Sequence, residues 1–183
     1  MRYVYLLTCC ALLAACAPNP QTLESVARSE SARLAPPTKK LSTFADYQLK
    51  PMVLSAAVQA EEGKVEAAAK FEGDLKAAIQ PLLDKWKAAP AGDRSGTLLI
   101  EPQLASLKIV SGGTRFWAGA FAGESSIDLD LVLIDAASGE SIAKVRIAQS
   151  ADAMTGAWSI GQSDENLFKY ISSTARQYLE DNY

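Results

Sequence analysis

Apolar residues recur with a helical period in two parts of this chain. Phe71, Leu75, Ile79, Leu82 and Trp86 follow one another at spacings of 4, 4, 3 and 4, which stacks them on one helix face. The pattern predicts a helix over Glu61–Ala89, with Glu61 and Glu62 at its start and Lys85 and Lys87 at its end, complementing the helix dipole. Pro81 lies inside it, removes a backbone donor and crowds the preceding turn, so a kink or a break into two helices is expected there. A second stripe joins Leu167, Ile171, Thr174 and Tyr178, with Phe168 and Ala175 beside it. Ser163 is placed to cap that helix, with Asp164 and Glu165 in its first turn.

Between these helices the period drops to two. Thr97–Val110 reads as a strand that follows a turn over Pro90–Gly96, and Ile127–Asp135 and Ser141–Gln149 read as a hairpin. Ile127, Leu129, Leu131 and Leu133 share one face of the first hairpin strand, and Ala143, Val145 and Ile147 share one face of the second. Both faces turn to the core only if paired residue numbers have an even sum. A loop over Ala136–Glu140, with Gly139 free to take positive φ, then sets Leu131 opposite Val145. The same register sets Asp130 opposite Arg146 on the other face, a cross-strand charge pair that supports it independently. Phe44–Ser55, interrupted by Pro51, reads as an edge or bulged first strand. The order is β-α-β-β-β-α. It predicts a single α+β domain over residues 43–183, with a mostly antiparallel sheet and helices packed on one face.

The N-terminus has a different organisation. Arg2 precedes an apolar run from Tyr3 to Leu13, and small residues lead to a cysteine in Leu13-Ala14-Ala15-Cys16. That is the layout of a secretory signal peptide, and the run is too short for a permanent membrane-spanning helix. The tetrapeptide resembles the lipobox of bacterial lipoproteins. The resemblance implies cleavage after residue 15 and acylation of the Cys16 thiol; an ordinary signal peptide cut near Ala15 or Ala17 is the alternative. By analogy with lipoprotein sorting, Ala17 in place of aspartate favours the bacterial outer membrane. Residues 16–42, with Ala17-Pro18-Asn19-Pro20 and Pro36-Pro37, read as the lipidated cysteine and a flexible tether, in which the short polar stretch between the prolines is at most weakly helical. Such a tether spans about 28 Å on average and roughly 85 Å fully stretched, enough to hold the domain clear of a membrane.

Composition narrows the chemistry. The chain of 183 residues has a net charge of −3 and is 49% hydrophobic, which favours a packed core and gives no basic face for nucleic acid. Cys9 and Cys10 lie within the signal, so Cys16 is the single cysteine expected in the mature chain and no internal disulfide can form. Histidine is absent altogether. Imidazole acid–base chemistry, Ser–His or Cys–His nucleophiles and the commonest metal ligand go with it. No cofactor or metal is expected, and catalysis, if present, rests on carboxylates or a Ser–Lys pair.

One loop stands out. Residues 111–124 hold Gly112, Gly113, Gly119 and Gly123, which permit sharp bends or close approach, together with Arg115, Phe116, Trp117 and Phe121. Large aromatics and an arginine are the side chains that anchor interfaces, and the arginine can also hold a carboxylate or phosphate at two points. The same aromatics can instead close one end of the core. No Gly-Lys-Ser/Thr ends the loop, so it is not a phosphate-binding P-loop, and Gly119-x-x-x-Gly123 lacks the long apolar helix of a membrane dimer motif. Asp128 and Asp130 share a strand face, but Arg146 opposite them favours a solvated charge pattern over a metal site. Ser95 reads as a turn serine, Trp86 as core, and Trp158 as either an anchor or a lid over the sheet.

From Gly113 to Glu124, then through a strand to Asp135-Ala136-Ala137-Ser138-Gly139-Glu140, the chain resembles several uncharacterised families of bacterial envelope lipoproteins. These carry an arginine, a glycine-spaced loop, a strand and an Asp-x-x-(Ser/Thr)-Gly-Glu turn. The resemblance covers about residues 97–150 and implies a small α+β envelope domain, with no catalytic residue to carry over. The expectation is a non-catalytic module, anchored to the membrane through Cys16, facing the periplasm and binding an envelope protein partner through Arg115, Phe116, Trp117 and Phe121. An accessory subunit of a secretion, transport or cell-wall synthesis complex is one alternative. A histidine-independent enzyme acting on peptidoglycan or lipid is another.

Overall fold

A computed structural model of the chain describes residues 20–90, 92–109, 125–150 and 163–183. The elements in chain order are α1 (Pro20–Ser31), a 3₁₀ turn (Leu41–Thr43), β1 (Asp46–Leu49), β2 (Val53–Leu54), α2 (Ala56–Gln59), α3 (Glu62–Ala88), β3 (Thr97–Lys108), β4 (Ser126–Asp135), β5 (Ser141–Ser150) and α4 (Ser163–Asp181). The strands form one mixed sheet in the order β1-β3-β4-β5, with β2 also paired to β3. This is the expected single α+β domain.

The hairpin register is the one that parity and the short loop together predict. Leu131 pairs with Val145, Leu129 with Ile147 and Asp130 with Arg146. Gly139 takes φ 72°, and the turn is closed by Gly139 N–H to Asp135 O at 2.8 Å and Asp135 N–H to Glu140 O at 3.0 Å. A register shift beyond Leu133–Ala143 brings Ile134 opposite Ser141 and leaves Ile142 as the extra, buried residue. A similar shift in β3 inserts Ala105 between Leu104 and Ser106. It changes the parity of the strand, which is why Leu98, Ile100 and Leu104 share the core face with odd-numbered Leu107.

Both predicted helical stripes are buried in a single core against this face: Phe71, Leu75, Ile79, Leu82 and Trp86 from α3, and Leu167, Phe168, Ile171, Ala175 and Tyr178 from α4. The ring centroids of Phe71 and Phe168 are 5.3 Å apart where the two helices meet. α3 runs unbroken from Glu62 to Ala88 through Pro81, so the break into two helices does not occur. Pro81 is on the exposed side, where the carbonyl it leaves unpaired can bond water. Ser163, expected as a cap, is the first residue of α4.

β1 and β2 both run parallel to β3, whereas the β3–β4 and β4–β5 pairs are antiparallel. The short helix α2 and the long helix α3 join β2 to β3 and return the chain to the end it started from, the geometry of a parallel crossover. The expected first strand is therefore two short edge strands separated by Lys50–Met52. Residues 20–42, expected as part of a flexible tether, instead pack onto the domain. α1 lies against α4, Ala27 and Leu41 are buried, Ser31 Oγ donates to Asp181 at 2.6 Å, and Tyr178 Oη donates to Ala35 O at 2.9 Å. Thr38 N–H donates to Ile142 O at 2.9 Å on the outer strand of the sheet. The buried alanine and leucine, with these fixed polar partners, supply what a proline-flanked polar stretch does not advertise.

Candidate functional site

Lys108, Ser126 and Ser150 pair side by side and form the last row at one end of the sheet. The connection over 110–124 leaves β3 and re-enters β4 at this row, and the connection over 151–162 leaves β5 from it toward α4. Arg115, Phe116, Trp117 and Phe121, the glycines at 112, 113, 119 and 123, and Trp158 therefore belong to two connections that start on adjacent strand ends. These residues themselves, like Cys16, lie outside the described residues. Their anchor points are firm: Leu107, Ser125 and Ile127 are all buried. The start of α4 is tied to α3 by Lys70 Nζ and Glu165 Oε1 at 2.7 Å.

The sheet face opposite the helices carries a run of polar contacts across three strands. Arg146 donates from Nε to Asp130 Oδ1 at 2.7 Å and from Nη2 to Oδ2 at 2.9 Å. Lys144 Nζ stands 3.4 Å from Asp130 Oδ2 and donates to Gln103 Oε1 at 3.4 Å, and Gln103 Nε2 donates to Glu101 Oε1 at 2.7 Å. The charge pair is as expected, but Asp130 is not solvated: it is 5% exposed beneath the two basic side chains. The Arg146 guanidinium holds the Asp130 carboxyl below its ordinary pKa, against the opposing effect of burial. Both carboxylate oxygens are occupied, so Asp130 is a structural anion rather than a proton acceptor poised for catalysis. Among the described residues no group of three or more Cys, Asp or Glu side chains could hold a metal ion.

Trp86 is core, as its helical position implies. It stacks on Tyr183 with ring centroids 4.2 Å apart at 11°, and lies 5.1 Å from Tyr47. Ser95 is in the turn before β3, its N–H bonded to Thr43 O at 3.1 Å. One feature was not visible as a site in the sequence. A cleft of about 140 Å³ opens between α3 and the Lys50–Met52 gap, where Glu72 Oε1 accepts from Met52 N–H at 2.8 Å. Pro51 is its sequence signal, because it ends the pairing of the edge strand.

No family model matches the chain and no curated protein matches it. Solved structures similar to the chain include two dodecamers of PelC from Paraburkholderia phytofirmans. The crystal in space group P6 has a TM-score of 0.47 at 9% identity, covering 79% of this chain and 94% of that one. A point variant in space group C2 has a TM-score of 0.44 at 10% identity, covering 80% and 94%.

Proposed function

We propose that this chain is a lipid-anchored binding or assembly module of the bacterial cell envelope, working by surface recognition rather than catalysis. Acyl chains on Cys16 hold it to the outer membrane with the domain in the periplasm, each buried methylene contributing about 0.8 kcal/mol. The observation that carries this reading is the shared row Lys108–Ser126–Ser150. Two connections bearing Arg115, Phe116, Trp117, Phe121 and Trp158 begin on adjacent, well-anchored strand ends. Strand ends are a rigid scaffold on which connections can carry recognition. The docking of α1 also changes the reach of the module. Only residues 17–19 separate Cys16 from a helix packed on α4. They span at most roughly 14 Å, so the domain sits close to the bilayer rather than clear of it.

A photo-crosslinking residue in place of Trp117, in the native envelope, tests the reading. The expected result is one dominant adduct with an envelope protein, lost when Cys16→Ala releases the chain from the membrane fraction. A folded, acylated protein that yields only internal adducts would place Trp117 in the core and overturn the assignment.

A further inference from the structure

The edge of the sheet formed by β1 and β2 is interrupted once, and the interruption is chemically distinctive. Lys50 N–H donates to Ile100 O at 2.8 Å and Ser55 N–H donates to Leu104 O at 3.0 Å, so these alternate residues of β3 turn their backbone groups toward the edge. Pro102 falls between them with the same parity, and its missing N–H therefore faces the gap. Pro51 occupies the gap itself. The result is a cleft on the helix side of the sheet whose floor is Leu49, Pro51, Leu75 and Pro102, without an N–H from either proline.

The rim is charged. Lys50 and Lys76 line it from the edge strand and from α3, both exposed and with no ion-pair partner among the described residues. Glu72 supplies one opposing charge, but its Oε1 is committed to Met52 N–H at 2.8 Å, and that bond fastens the gap to α3. Two cations against one tethered carboxylate leave the mouth of an apolar cleft positive. Its volume of about 140 Å³ is close to the size of an engineered cavity, about 150 Å³, that accepts benzene.

We propose that this cleft binds a monocarboxylate with a compact apolar body, the ring or branched chain lying on the leucine and proline floor and the carboxylate meeting Lys50 and Lys76. It is a small-ligand site separate from the strand-end row, so neither reading depends on the other.

Benzoate titrated into the uniformly labelled full chain, followed by amide NMR, is the test. Shifts should concentrate at Leu49–Val53 and Leu75–Gln80, with a Kd on the order of 1 mM for so small a ligand. Benzamide, the neutral isostere, should bind about fivefold more weakly, and the double variant Lys50→Ala/Lys76→Ala should lose about as much, two exposed charge contacts being removed. Glu72→Gln keeps an acceptor for Met52 N–H while removing the opposing charge, and should tighten benzoate about threefold. All the altered side chains lie on the rim, so an unchanged melting curve confirms that each variant is folded. A short peptide ending in a free phenylalanine carboxylate separates the sources. Tighter binding than benzoate identifies a polypeptide terminus, and weaker binding a free small acid. Equal binding of benzoate and benzamide, shifts elsewhere, or indifference to the three rim substitutions would overturn the proposal.

Discussion

Arg146 stands directly opposite Asp130 across β4 and β5 and grips it at two points, 2.7 and 2.9 Å long. The two ends of this pair differ in environment: the Asp130 side chain is 7% exposed and that of Arg146 is 59%. Arg146→Ala therefore leaves a carboxylate under the surface with only Lys144 near it. The expected loss is about 1–2 kcal/mol, below the cost of breaking a fully buried pair because water can reach the vacated arginine site. Arg146→Lys should recover part of it without the two-point geometry. Urea unfolding at neutral pH measures both.

The same pair has a pH signature. The folded-state pKa of Asp130 is depressed, first by the hydrogen bonds from Arg146. A depressed carboxylate contributes stability that is present above its unfolded pKa, about 3.9, and is lost as pH falls through the folded value. The stability gap between the parent and Arg146→Ala should thus be full at pH 7 and close in strong acid. Asp46, Asp135 and Glu165 are shifted in the same direction by Gln48, Lys39 and Lys70 respectively, so the parent itself should weaken in acid. Unfolding midpoints measured from pH 7 down to about 2 trace both curves. A gap that stays constant across that range would contradict the assignment.

Phe71 and Phe168 hold α3 to α4 with their rings 5.3 Å apart. Each single change to leucine should cost about 1 kcal/mol, and the double-mutant cycle should show a coupling of about 0.5–1 kcal/mol. A coupling near zero would mean that the rings fill space without a specific mutual contact.

Pro81 sits on the exposed side of an unbroken helix. Alanine restores the missing backbone donor and removes the clash with the preceding turn. Pro81→Ala should raise stability by about 1–2 kcal/mol, less than the full helix penalty of proline because alanine also frees the unfolded chain. The melting temperature should rise by roughly 2–8 °C for a domain of this size.

Arg94 closes the far end of α3. Its guanidinium donates to Trp86 O at 3.1 Å, to Ala89 O, to Pro90 O at 2.7 Å and to Tyr183 Oη at 3.1 Å. It satisfies carbonyls at the helix end and holds Tyr183 against Trp86. Arg94→Ala should lower stability by about 1–2 kcal/mol and make indole fluorescence shift to the red as Tyr183 loosens. A stability loss with no spectral change would separate the capping role from the stacking one.

What residue order alone determined is the part of the fold governed by short-range periodicity. The stripe from Phe71 to Trp86, the stripe on α4 and the pairing of Asp130 with Arg146 all follow from which side chains share a face, and a strand or helix repeats that choice every two or three to four residues. Parity limited the hairpin to registers with an even sum, the only ones that bury both apolar faces, and the short loop with Gly139 chose among them. Tertiary structure decided the rest. Whether β1 and β2 run parallel or antiparallel to β3 depends on where a long helix returns the chain, which no local pattern encodes. Pro81 is tolerated because its side of α3 faces water, and residues 20–42 are held by α4 and by the outer strand, partners more than a hundred residues away. Asp130 is buried because long side chains on the next strand fold over it, and the cleft exists because two prolines distant in sequence meet at one gap in the sheet edge. Periodicity assigns each side chain a face. Only the packed fold assigns it neighbours.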